Sequence, residues 1–263
     1  MLAAPFLGRT QGLENKVDAG NDKKPNPSFA GLSFTTSFRD SYTAPVGFTV
    51  GSQNGPVNQT LIQAGINDLF KKGDNASVFT WADYDFGYGR HGKAALDEQD
   101  IGISYALPLG KVFGGDLSAN TSVQYWKYWS GNLGEHDIVT DLNFSWTGPI
   151  TLDVMGRQLW AHQGVEDGRY VILQASKQMS LEKILPKVMG WNFAVTPSLS
   201  SAFNNNFYIE GNRWMGVIAK GTISATKRNA SISAGAGYIH SFNRGPIEKS
   251  HSMWELTFSY NFK

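Results

Sequence analysis

The residues of this 263-residue chain that could do covalent chemistry are few. Tyr238-Ile239-His240-Ser241 sets a histidine beside a serine, the two groups that a base-activated nucleophile requires. Adjacent side chains on a strand point to opposite faces, so His240 and Ser241 would act together only across a bulge or with a partner from another strand. The other histidines, His91, His136, His162 and His251, fall at expected strand ends or in loops, without the convergence of a metal site. There is no Cys, which removes thiol catalysis, disulfide frameworks and cysteine-ligated zinc. The chain also lacks a Walker-type phosphate loop, a His-Glu-x-x-His helix and a Gly-x-Ser-x-Gly turn. Gly87-Tyr88-Gly89 and Gly235-Ala236-Gly237 read as relief of curvature or crowding rather than phosphate cradles. The expectation is a protein with no catalytic residue, no metal and no cofactor.

Charges on one face of alternating segments are more informative. Arg39, Asp83, Asp85, Asp141, Asp153, Arg157, Lys220 and Glu255 all fall on the polar side of stretches whose other side is apolar or aromatic. Charges gathered on an interior face need ion pairs or water. Either they close that interior as packed pairs, or some of them line a narrow aqueous path. Their mixed signs argue against strong selection for ions of one charge.

The elements that carry these residues are strands. In the last stretch, residues 254, 256, 258, 260 and 262 are large and apolar or aromatic, while 255, 257, 259 and 261 are polar. The same period of two predicts strands from Ser28 to Arg39, over 76–88, from Ile101 until Pro108 and Gly110 stop it, over 112–129, over 138–146 and over 150–157. It continues over 170–179, over 191–202 with an interruption at Pro197, over 215–226 and over 232–238. Residues 57–70 fit a strand near 60–69 or an amphipathic helix that would restrict the interior. A helical turn or two fits 180–189. A loop is expected from Gly89 to Glu98, and Phe203–Glu210 reads as strand or loop.

Composition fits strands with one greasy face. The net charge of +1 and pI of about 7.9 give no field of one sign, so a nucleic-acid partner is not expected. Apolar content of 41% and a mean hydropathy of −0.28 leave no run of 18 apolar residues for a spanning helix. Aromatics make up 13% of the chain and recur along the alternating segments. At Tyr125-Trp126-Lys127-Tyr128-Trp129 they occupy both faces, as rings do at a membrane boundary. The start, Met-Leu-Ala-Ala-Pro-Phe, has no positive segment followed by an apolar core, so an exported protein would be met here in mature or recombinant form.

The terminal aromatic alternation, aromatic-rich boundaries and short turns resemble the bacterial outer-membrane β-barrel proteins, including the small porin-like channels. Phe262 matches the aromatic that commonly ends the last strand in that group, and Lys263 after it departs from the strictest form. The resemblance implies an all-β fold: one closed antiparallel transmembrane barrel over residues 28–263, preceded by an extension over 1–27. Twelve strands are expected, with ten and fourteen as alternatives, because closure of a single-chain bacterial barrel calls for an even number. Tyr125, Trp129, Phe144, Trp146, Tyr238, Trp254, Phe258, Tyr260 and Phe262 would face lipid or the aromatic belt, and the eight charges above would line the lumen. The implied location is the bacterial outer membrane. The implied partners are its lipids, the barrel assembly machinery and a small solute, with the chain a monomer or small homo-oligomer. The implied function is a passive channel or small-solute uptake protein. The alternatives are a plugged structural barrel of the envelope and a lipid-modifying enzyme.

Overall fold

Period-two alternation becomes an antiparallel sheet in the computed structural model, which describes residues 26–40, 57–85, 95–128, 136–160, 168–185, 190–206, 211–242 and 250–262. In chain order the strands are β1 (Ser28–Arg39), β2 (Val57–Asn67), β3 (Asn75–Asp85), β4 (Ala95–Val112), β5 (Gly115–Tyr128), β6 (His136–Thr147) and β7 (Thr151–Trp160). They continue as β8 (Gly168–Ser176), β9 (Met179–Ser180), β10 (Asn192–Asn205), β11 (Asn212–Lys227), β12 (Ala230–Ser241) and β13 (His251–Phe262). Neighbours in sequence pair antiparallel, and β10 pairs with both β8 and β11. The two-residue β9 pairs with β10 beyond the end of β8 and shares its place in the sheet. Closure is made by β13 on β1, from Leu32 opposite Phe262 to Arg39 opposite Glu255. Among the described residues the ring therefore has twelve strand positions, and closure leaves no free edge.

The alternation sorts side chains between two environments. Along β5, Ser122, Gln124 and Trp126 are buried while Thr121, Val123 and Tyr125 are exposed. Cross-strand partners share a face, so the pattern propagates around the ring: Val78, Ile103 and Val123 stand in one outward row, joined by Leu32 and Ala64. Ile103 is 60% exposed and Ile101 and Val78 are each 58% exposed. A soluble monomer rarely leaves so continuous an apolar surface in water. Strands of nine to eighteen residues are long enough to cross a bilayer, which takes about 9–11 residues per tilted strand. No helix among the described residues is long and apolar enough to do so.

One end of the barrel carries tight turns. The β4–β5 hairpin turns through Phe113 (φ 48°) and Gly114 (φ 75°), two left-handed residues that match the twist of the strands they join. Between β2 and β3, the Asp74 carboxylate accepts hydrogen bonds from the amides of Leu69 (2.7 Å), Phe70 (3.0 Å) and Lys71 (2.8 Å), and from the Tyr105 hydroxyl (2.6 Å). Burial acts to raise the Asp74 carboxyl, but Tyr105 and the three amides outweigh it and hold the group below its ordinary value. The connections after β1, β3, β5, β7, β10 and β12, at the opposite end, are longer on average.

Several expected boundaries move. Residues 57–67 are strand rather than helix, because Val57 through Asn67 pair in register with both β1 and β3. Pro108 and Gly110 do not stop β4; a register shift between them absorbs the missing donor and the strand runs on to Val112. The expected 112–129 strand is divided by the Phe113–Gly114 turn. Ala95–Glu98 belong to β4, not to a loop. Pro197 lies within an unbroken β10, opposite Gly221. Past β9 a single turn closes, with Ile184 and Leu185 donating to the Leu181 carbonyl; residues 186–189 lie outside the described residues. Phe203–Asn205 end β10, and 207–210 lie outside the described residues. The expected extension over 1–27 lies outside them as far as residue 25.

Candidate functional site

The inner face of the barrel is where charge collects, and its two walls differ in sign. On β3 to β7 the inward side chains include Asp83, Glu98, Asp100, Asp137, Asp141 and Asp153, with Arg157 among them. Across the lumen, Arg39 of β1 and Lys220 of β11 flank Glu255 of β13, and β11 also carries Arg213 opposite Asn204. The sign difference follows from which strands carry which residues, since alternation alone decides face but not wall.

Arg157 organises the acidic wall. Its Nε donates to Asp141 Oδ1 at 2.5 Å and its Nη2 to Oδ2 at 2.6 Å, a fork that fixes both planes. The guanidinium lies 4.9 Å from the Trp126 ring and 5.5 Å from that of Tyr170. Asp141 also accepts from Gln124 Nε2 at 2.7 Å, and Gln124 Oε1 accepts from the Trp126 indole at 2.9 Å. Acid, base, amide and two rings thus form one connected network. Its register accounts for it: Asp141, Arg157 and Tyr170 are directly opposite one another on β6, β7 and β8.

The second and third inward rows from this pair toward the long connections hold more carboxylates. Gln59, Asp83 and Glu98 stand opposite one another on β2, β3 and β4, and Trp81, Asp100, Trp126 and Asp137 on β3 to β6. On the opposite wall Glu255 is held between Arg39, 3.4 Å away, and Lys220, which donates to its Oε1. Lys220 crosses the face of Gly235, where a Cβ would lie 2.8 Å from Lys220 Cε and 3.2 Å from Glu255 Cγ.

Of the eight charges read from alternation, Asp141 and Arg157 meet in one pair, and Arg39, Lys220 and Glu255 in a second group. Asp83 and Asp153 are buried on the inner face. The side chain of Asp85 lies outside the described residues. Sequence reasoning missed Glu98, Asp100, Asp137, Trp81, Trp126 and Tyr170. Glu98 and Asp100 fall on the face opposite Ile101 and Ile103, so extending the β4 alternation backwards would have found them. Trp126, expected at a membrane boundary, is inside, on the same face as Ser122 and Gln124. Met215, grouped by alternation with Val217 and Ala219, is also inside: a bulge opposite Ala202 and Phe203 adds one residue to β11 and reverses its phase.

The outer face carries the expected aromatics in two girdles. Tyr125, Tyr238 and Trp254 lie toward the long connections, and Trp146, Tyr260 and Phe262 toward the short turns, with Phe144 and Phe258 between. The Trp146 indole donates to the Val112 carbonyl at 2.7 Å while its ring covers Gly115 and Gly148. Tyr260 and Phe262 meet edge to face at 4.6 Å. Trp129 lies outside the described residues. His240 is exposed and packs against Phe242, away from the inward network. Among the described residues no three His, Asp or Glu side chains are grouped to hold a metal ion.

A closed twelve-stranded sheet with an apolar outer band, aromatic girdles and a charged interior defines an outer-membrane-type β-barrel. Among solved structures the chain is similar to an outer membrane channel from Pseudomonas putida F1, at 12% identity and a TM-score of 0.50, covering 93% of this chain and 100% of that one. It also matches the NanC porin at 13% identity and a TM-score of 0.43, covering 88% and 99%. The β domain of the Bordetella autotransporter BrkA matches at 11% and 0.43, covering 92% and 100%. No family model and no curated protein sequence matches the chain. At these identities the likeness shows the fold, which is the one the closing strand resembled from the outset.

Proposed function

We propose that the protein is a passive channel of the bacterial outer membrane, admitting small solutes through the barrel lumen. The observation that carries this reading is the charged inner face: eleven charged side chains among the described residues of a closed barrel whose outside is apolar would be a costly way to fill a core that only had to pack. Such a channel needs no cofactor and no catalytic residue, because side chains facing the lumen set size and charge preference. By the pattern of single-chain barrels, the short turns face the periplasm and the longer connections the outside. Assembly machinery would read the closing strand, Trp254 to Phe262. The match to an outer membrane channel of Pseudomonas putida F1 supports this reading through shared fold.

The burial of Trp81, Trp126, Leu159, Ile172 and Ile239 favours a second reading, a barrel whose lumen stays closed and whose role is to organise the envelope. Flux into proteoliposomes separates the two. A channel releases entrapped small solutes at a rate proportional to protein reconstituted; a closed barrel, inserted and folded to the same extent, releases none.

A further inference from the structure

Beyond the Asp141–Arg157 fork the acidic wall continues with a second carboxyl pair, over which the Arg157 charge also acts. Asp100 is fully buried and Glu98 is 4% exposed, and the two carboxyls interact directly. The two carboxyls hydrogen-bond to each other, and no other side chain donates to either oxygen of Asp100 or to Oε1 of Glu98. Gln59, 3% exposed and one strand away from Asp83 in the same row as Glu98, has both its amide oxygen and its amide nitrogen without partners. Trp81, fully buried and directly opposite Asp100, has an unpartnered indole N–H and a ring beside the acid. Buried polar atoms are almost always paired in native proteins, so this concentration of open acceptors calls for an occupant.

The occupant's chemistry is set by what surrounds it. A carboxyl pair that holds one proton between its members still carries a negative charge and further acceptor oxygens; with the amide oxygen it attracts positive charge, and an indole face adds to that attraction. Arg157 supplies the precedent within the chain: two inward rows from Asp100 toward the short turns, a guanidinium sits on a carboxylate and two aromatic rings. A coordinated metal fits less well, since no three acidic or histidine side chains among the described residues converge. We propose that Glu98 and Asp100, with Gln59 and Trp81 beside them, form a binding step in the lumen for the ammonium or guanidinium group of a cationic solute. Because both carboxyls are buried, the solute reaches them by movement of lumen side chains rather than through an open well. The inference rests on the channel reading and names the class of solute that the channel takes.

The test is a reversal potential across a KCl gradient in a planar bilayer, followed by addition of ethylammonium chloride. Expected for the native chain are a cation preference of several-fold and a concentration-dependent reduction of the potassium current by ethylammonium. Glu98→Gln with Asp100→Asn should bring the permeability ratio close to one and abolish the ethylammonium effect. Asp116→Asn, at an exposed turn, should change neither. Should the double variant fail to fold, Glu98→Gln alone should lower both readouts in part. A native chain that conducts without cation preference, or a folded variant that keeps it, overturns this inference alone. No current at all removes the channel reading and the inference with it.

Discussion

The Arg157 guanidinium forks the Asp141 carboxylate across β6 and β7, with Nε on Oδ1 at 2.5 Å and Nη2 on Oδ2 at 2.6 Å. Arg157 is 2% exposed, and it is the cation of a wall that holds six carboxylates. Arg157→Met leaves Asp141 buried with only Gln124 and Ser122 as donors, which should cost roughly 3–5 kcal/mol. Arg157→Met combined with Asp141→Leu should recover most of that loss, because the stranded charge is gone. Urea unfolding in lipid vesicles, followed by tryptophan fluorescence, measures both. A double variant as unstable as the single one would show that the pair is not the relevant unit.

The Asp74 turn predicts a dependence on acid. Its carboxyl is held below its unfolded value of 3.8, so the stabilisation is fully present above that pH and is lost as pH falls through the lower folded value. Asp74→Asn removes the charge at every pH, and the variant should be less stable than the native chain at neutral pH, with the gap narrowing as pH drops below 3.8. Parallel unfolding curves at neutral and strongly acidic pH check the sign; a constant gap would contradict it.

Two lumen glycines should respond differently to one added methyl. At Gly235 the new carbon meets the flexible end of Lys220, which can move aside. At Gly102 it would sit 2.5 Å from Phe79 Cζ and 2.9 Å from the Val123 carbonyl oxygen, neither of which can yield easily. Gly102→Ala should therefore cost about 1–3 kcal/mol and Gly235→Ala less than about 1 kcal/mol. Equal costs in the same urea assay would mean that Phe79 does not occupy the Gly102 face.

The outward band predicts a sidedness test. Leu142 faces out from the middle of β6, one residue from the inward Asp141. Leu142→Arg should destabilise the inserted barrel by roughly 2–4 kcal/mol, the cost of a cation against lipid near midplane. Asn143→Ser, on the inner face, should be close to neutral. A tolerated Leu142→Arg would place that surface in water.

Much of this architecture was legible because period two is unambiguous where one face is greasy. The closing strand, β6 and β7 show every outward and inward residue in the chain itself. The walls were not legible. Asp141 and Arg157 lie sixteen positions apart and meet only through the β6–β7 register, and nothing local announces that Glu255 and Lys220 share a group. Met215 was hidden by a bulge, which shifts phase beside Gly216, one of many glycines in the chain and so no distinctive mark. Trp126 was misplaced because ring area suits a membrane boundary and a cation-bearing interior equally well. Pro108 and Pro197 looked like stops, yet each is absorbed in a strand, one by a register shift and one opposite a glycine.

The central claim is that the lumen conducts, and single-channel recording on the folded, reconstituted chain addresses it most directly. Discrete current steps of uniform size are expected in a planar bilayer, absent from protein-free membranes and from heat-unfolded protein. Bilayers that hold correctly folded barrels and stay electrically silent would contradict it.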